Sequence, residues 1–260
     1  EKSLKVSLIE IGRNKLLKVW QVKFAEIDTK LKHLKLAPRY TSNSIFHPIM
    51  LNDSSIIFNN DALFRIDRHN KLEVLNAEIR FHHTIEMEND SIFWLCGSKR
   101  SNIDPSLKDT VLVEDVIAGY NINTQKLFYI RSIRDVLSEN GYEIIFRGPG
   151  FSPSDRFHIN DIQPVKIKSK FWKLGDLFIS LRHLSTIFLY RPSTNKIIWL
   201  KQGPWLSQHD VDVINEKTIS VFNNNALRTD QVEKSVKGYN SILFYNFKSR
   251  KISSPYDSVL

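Results

Sequence analysis

Short runs of β-branched and aromatic residues fill most of the chain, separated by Asn, Asp, Ser and Lys. Examples are "SSIIFNN", "ALFRIDRHNKLEVL", "SIFWLCG", "DLFISL", "STIFLYRPSTNKIIWL" and "TISVFNN". Apolar runs of this length bounded by turn formers predict strands. The 3.6-residue period of an amphipathic helix is scarce, and residues 131–141, "RSIRDVLSENG", carry it best. The pattern predicts an all-β protein.

The runs also recur in order. From Ile45 to Leu75 a His-led run is followed by "SSIIF", "LFRID" and "KLEVL". The same order begins again at Phe81 ("FHHTIEM", "IFWLC"), at Phe157 ("FHINDIQPV", "LFISL") and at Gln208 ("QHDVDVI", "ISVFN"). A period of roughly 40–50 residues with four strands per unit is the signature of a β-propeller blade. "VSLIEIGRNKLLKVWQV" near the N-terminus reads as the last two strands of a further blade. About four and a half blades are therefore expected, in a single propeller domain over residues 1–260 that is incomplete at one or both ends. Residues 98–114 and 134–156 are too long for blade turns, and long loops often cover a functional face.

Composition narrows this little. The chain has 260 residues, 42% of them hydrophobic, and a net charge of +9. That balance fits an anionic partner and also fits solubility alone. The basic residues are scattered rather than striped, so no nucleic-acid partner is expected. Cys96 is the only cysteine, so there is no internal disulfide. No apolar run reaches the ~18 residues of a membrane helix, and no membrane span is expected. The first residue is Glu1 rather than methionine, which reads as a lost leader or N-terminal segment.

In a propeller the first strand of each blade lines the central channel. His47, His83, His158 and His209 hold one position of that strand, so residues distant in sequence should converge on the axis. Burying several imidazoles together is unfavourable unless something anionic or metallic binds them. His69, His82 and His183 fall outside this phase and read as supporting residues, although His82 competes with His83. His33 has no role assigned. Asn160 follows His158 by two residues, on the same side of the strand. Arg182 follows "LFISL", where the chain can turn to the channel mouth, and its planar fork suits a sulfate-type oxyanion. Phosphate-loop, dinucleotide, nucleophile-elbow and CxxC or HExxH zinc patterns are absent. Neither cofactor nor metal is expected, with a metal held by three of the histidines as the minority reading.

"DRFHIND" (155–161), "LFISLRHLSTIFLYRP" (177–192), "IIWLKQGP" (197–204) and "QHDVDVINEKTISVFNNN" (208–225) resemble the arylsulfate sulfotransferases. "FHHTIEMENDSIFWL" (81–95) resembles the double-histidine blade of that family, and the likeness runs in order over about residues 45–225. It implies a six-bladed propeller that moves a sulfuryl group between phenols without a nucleotide donor, through a covalent sulfohistidine. By match to the motifs, His209 is the nucleophile, and His158, Arg182 and His83 are further catalytic groups. Asn160 and His47 bind substrate. Partners are an aryl sulfate donor and a phenolic acceptor, and the location is periplasmic or extracytoplasmic. Oligomeric state is not indicated.

Four positions depart from the family pattern. Arg156 stands for a tryptophan, Asn223 and Asn225 stand for an aspartate and a glycine, and Thr84 stands for an acid. They mark a divergent branch. The alternative reading is a propeller that binds an anionic ligand or partner in its channel without turnover.

Overall fold

The computed structural model describes residues 3–10, 15–35, 45–101, 112–147, 155–228, 233–236 and 238–256. β1 (Ser3–Glu10) and β2 (Lys15–Lys23) pair antiparallel, as expected for the N-terminal run. α1 (Phe24–His33) follows, a helix the strand-rich pattern did not announce. Its Ile27 and Leu31, four residues apart on one face, are fully buried.

β3 (Phe46–Met50), β4 (Ile56–Ile66), β5 (Leu72–Met87), β6 (Ile92–Ser101), β7 (Leu112–Asn121) and β8 (Lys126–Ser132) form one sheet in chain order. It holds two repeat units, because β5 pairs with β4 through its first half and with β6 from Arg80 onward. α2 (Ile133–Glu139) falls within the expected helical window, capped by the Ser132 hydroxyl, which accepts from Asp135 N. The short α3 (Ile144–Arg147) comes next.

The third unit is the four-stranded sheet β9 (Ile159–Pro164), β10 (Leu177–Leu181), β11 (Thr186–Arg191) and β12 (Lys196–Gln202). The fourth contains β13 (His209–Asn215) and β14 (Thr218–Asn223). A hairpin of β15 (Ala226–Arg228) and β16 (Glu233–Ser235) is then inserted before β17 (Ser241–Asn246) and β18 (Lys251–Ser253) complete it. All pairings are antiparallel, and the first strands lie side by side, with β9 packed between β5 and β13. The expected residues 98–114 loop is shorter than thought: β6 and β7 continue as a ladder to the pair Ser101–Leu112.

The cores lie between units rather than within them. Trp20, Ile27, Phe58 and Phe64 join the N-terminal hairpin and α1 to the first unit. Ile57, Phe81, Phe93 and Tyr120 form the core of the first two units. Ile117, Leu137, Ile159 and Phe188 bind the second to the third, and Trp172, Trp205, Val211 and Ile219 bind the third to the fourth. The third sheet is therefore covered on both faces, which is why β9 and β10 are buried at every position and lose the alternation of a half-exposed strand. Fully burying each large apolar side chain contributes about 1.5–3 kcal/mol. This arrangement is a β-propeller.

One buried ion pair fixes the turn before β10. Asp176, 1% exposed, accepts from Arg191 Nε and Nη2, both at 2.7 Å, and from Lys173 N at 2.8 Å. Asp176→Ala leaves the guanidinium and the turn amide without their acceptor. The variant should lose about 3 kcal/mol of unfolding free energy, read by urea denaturation. The double variant with Arg191→Ala should lose less than the single one.

Candidate active site

Each first strand slips register where it opens. β3 pairs Phe46 with Asn59 and then Ile49 with Ile57. β5 pairs Phe81 with Gly97 and then Ile85 with Leu95, so His82, His83 and Thr84 together face Cys96. β9 pairs Ile159 with Leu181 and then Asp161 with Ser180, and β13 pairs His209 with Phe222 and then Val211 with Val221. Such bulges bend a strand and re-aim its side chains. The backbone is left-handed at His47 (φ 40), His83 (φ 56) and His158 (φ 52), and in the fourth unit at Asp210 (φ 54), beside His209. Histidine is among the residues enriched there.

The bulges bring three of the four histidines together. The His83 ring lies 4.9 Å from that of His158 and 6.1 Å from that of His209, centroid to centroid. His82 meets His83 with their Nδ1 atoms 2.8 Å apart, one donating and one accepting. His47 is exposed and is not in this contact set; its neighbour Phe46 stacks on His83 instead, at 6.1 Å.

Each ring has a polar anchor. His158 Nδ1 lies 2.7 Å from Asp155 Oδ2, and the His183 ring stacks on His158 at 4.4 Å. His183 Nδ1 in turn lies 2.8 Å from the Asp155 carbonyl oxygen. Asn224 Nδ2 donates to His209 Nδ1 at 2.6 Å and to Ser207 O at 2.7 Å. Gln208 is fully buried, and its Nε2 donates to Ser180 Oγ, Leu181 O and Thr186 O. Asp155, Asn224 and Gln208 escaped the sequence reading, because only their proximity to the histidines in space marks them. Asp155 alone left a trace, three residues before His158.

Arg182 opens a tight turn after β10, its side chain nearly buried, and its backbone N donates to His158 O at 3.1 Å. Asn160 Nδ2 donates to Gln208 O at 2.7 Å, so this amide ties the third unit to the residue before His209. Since His158 precedes β9 in a left-handed conformation, strand alternation does not relate it to Asn160.

The departures from the family pattern have local substitutes. Asn225 takes the left-handed backbone (φ 48) that glycine favours. Asn223 Oδ1 accepts from Leu206 N and Asn225 N, as a carboxylate would. The Arg156 guanidinium lies over the Phe146 ring at 5.6 Å, and Thr84 Oγ1 contacts Cys96 Sγ at 3.4 Å.

The site favours neutral imidazole. Burial drives the His83 pKa far below the usual imidazole range, and His82, His158 and His209 add to the shift. Further along the first strands lie carboxyls. Burial raises Glu86 to about 7, with Lys166 opposing and Asp212 and Asp210 adding. Burial, then the Glu86 charge, holds Asp161 well above the ordinary carboxyl range. Asp155, His158 and His183 offer donor atoms within 4.8 Å of one another, a spacing that one divalent cation could span. The Nδ1 of each of those rings is nevertheless already engaged with Asp155.

A luciferin-regenerating enzyme matches with a TM-score of 0.51 at 9% identity, covering 92% of this chain and 70% of that one. Virginiamycin B lyase from Staphylococcus aureus matches at 0.45 and 11% identity, covering 95% and 72%. The U3-55K structure matches at 0.45 and 9% identity, covering 81% of this chain and 51% of its own, so this chain spans about half of that protein. A search of curated proteins finds no match.

A β-propeller whose first strands carry converging histidines is thus the class. The profile of the arylsulfotransferase (ASST) family matches residues 47–259, and the chain belongs to that family. No described helix is long and apolar enough to cross a membrane.

The raised Glu86 carboxyl makes a signed prediction. Folding favours its protonated form, so its stabilisation is complete below about 4.5 and is lost as pH rises through about 7. At about 1.4 kcal/mol per unit, the loss amounts to roughly 3 kcal/mol. Glu86→Gln stays neutral, so unfolding free energies measured across this range should fall in the parent relative to the variant. Parallel curves would contradict the assignment.

Proposed function

We propose that this chain moves a sulfuryl group from an aryl sulfate to a phenolic acceptor through a sulfohistidine at His209, without nucleotide or other cofactor. The observation that carries the reading is the meeting of His83, His158 and His209 from three separate units in a chain of the arylsulfotransferase family. We read residues 1–260 as one propeller domain and set the reaction in the periplasm or another extracytoplasmic space, the usual location of the family.

Sulfuryl transfer resembles phosphoryl transfer: nucleophile and leaving oxygen must lie in line, with charge stabilised on the equatorial oxygens. His209 is gripped through Nδ1 by Asn224, so Nε2 is the nitrogen that attacks. While Nδ1 accepts from Asn224, the neutral ring carries its proton on Nε2, and that proton must leave before the lone pair reaches sulfur. His83 is the adjacent neutral ring. It can accept on one nitrogen while its Nδ1 passes a proton on to His82, whose Nε2 lies 3.7 Å from the Asp115 carboxylate, so the added positive charge comes to rest beside a counter-charge. The S–O bond then breaks as the N–S bond forms, and its electron pair goes to the phenolate. In the second half the acceptor phenol loses its proton, attacks sulfur and frees His209. Arg182 supplies the fixed positive charge for the sulfuryl oxygens, with His158 and Asn160 beside it.

Incubation with 4-nitrophenyl sulfate, phenol and a chelator should release nitrophenolate in an acceptor-dependent way. His209→Ala should abolish release, and mass spectrometry of quenched parent should find one added SO3 on the peptide containing His209. A folded parent that binds aryl sulfate without turnover would instead establish a binding propeller.

A further inference from the structure

We propose that Asp155 is the positioning residue for His158, fixing its ring so that His158, rather than His83, passes the proton to and from the phenolic oxygen; this rests on the sulfotransferase reading above. The Asp155 carboxylate lies 2.7 Å from His158 Nδ1, with the two side chains 18% and 17% exposed. A carboxylate only accepts hydrogen bonds, so Nδ1 carries the hydrogen and Nε2 is left to exchange a proton. Asp155 grips a second ring through its backbone carbonyl, which meets His183 Nδ1 at 2.8 Å. His183 stacks on His158 with an interplanar angle of 28°, closing one face of the ring. One aspartate thus sets both the tautomer and the plane of His158.

His83 lacks this support. Its Nδ1 meets another imidazole rather than a carboxylate, and burial with its neighbours His82, His158 and His209 disfavours a charge on it more than the Asp155 charge favours one. A group that must carry a proton into the first half-reaction and take one up in the second needs a counter-charge, and Asp155 places one against His158. In the first half, His158 Nε2–H gives its proton to the departing phenolate as the S–O electron pair arrives there. The ring is left neutral, with Nδ1–H still on Asp155. In the second half, Nε2 takes the acceptor phenol's proton as its oxygen bonds to sulfur and the N–S pair returns to His209.

Leaving-group dependence separates this role from a structural one. Nitrophenolate departs readily without a proton, whereas unsubstituted phenolate needs one. Asp155→Asn should therefore lower kcat for phenyl sulfate by ~10²–10⁴, with KM little changed, and should slow 4-nitrophenyl sulfate far less. Equal losses on both donors would assign Asp155 to folding alone and overturn the proposal. Spectroscopy tests the pairing without turnover. In parent protein labelled with 15N-histidine, His158 should show its proton on Nδ1, and Asp155→Ala should remove that signature. A His158 Nδ1 that carries no proton in the parent would overturn the proposal, as would a stoichiometric metal ion lost on Asp155 or His183 substitution. If the parent turns over neither donor, the sulfotransferase reading and the proton transfer fall together, while the spectrum still decides the pairing.

Discussion

Polar side chains that reach from one repeat unit to the backbone of the next hold the histidine cluster together. Asn59 Nδ2 donates to His83 O at 3.0 Å, and Asp115 Oδ2 accepts from Ile159 N, next to His158, at 3.2 Å. Asn160 and Asp161 take hold on either side of His209, at Gln208 O and Val211 N, both at 2.7 Å. A bulge removes backbone groups from the ladder, and a buried group left without a partner costs about 1–3 kcal/mol. The cross-unit side chains replace the missing partners. They also set the spacing between units at the level where the rings meet, so the distances among His83, His158 and His209 depend on them.

The same arrangement explains the balance of charge. Desolvation acts on His83 and on the carboxyls Glu86 and Asp161 with opposite outcomes. Burial disfavours charge on the His83 imidazole and favours the protonated form of the carboxyls Glu86 and Asp161. The His83 ring lies 4.9 and 6.1 Å from those of His158 and His209, and its hydrogen bond runs to His82. Gln208 extends the logic by fixing the chain before His209 through three buried acceptors on the third unit.

Repetition made the fold readable. Individual strands such as "IFWLC" are ambiguous, but four units with the same order of runs are not, and the N-terminal strand pair and α2 also follow from pattern. α1 was missed because its apolar face is narrow, resting on Ile27 and Leu31, and is completed only by packing against β2 and β4. Of the proposed residues, His83, His158 and His209 converge, whereas His47 shares the left-handed backbone of His83 and His158 without joining their contacts. The phase of a repeat predicts where a strand bulges. It does not predict which bulged side chain meets the axis, since that depends on neighbours far away in sequence. Asp155, Asn224 and Gln208 were illegible for the same reason.

Left-handed backbone at His47, His83 and His158 carries strain of about 1–3 kcal/mol per residue. It persists because the surrounding cores between units are large and the bulged segments are tied down by the cross-unit hydrogen bonds. Strain and support are thereby separated: the bulges sit at the inner ends of the first strands, while stability resides in Trp172, Trp205, Phe64 and their neighbours between the sheets. Changes at Arg156, Asn223 and Asn225 fall on the turns that link these two regions, and each is met by a local hydrogen bond, ring contact or left-handed asparagine. Divergence at those turns can therefore reshape the surroundings of the site while leaving the three rings and their anchors in register.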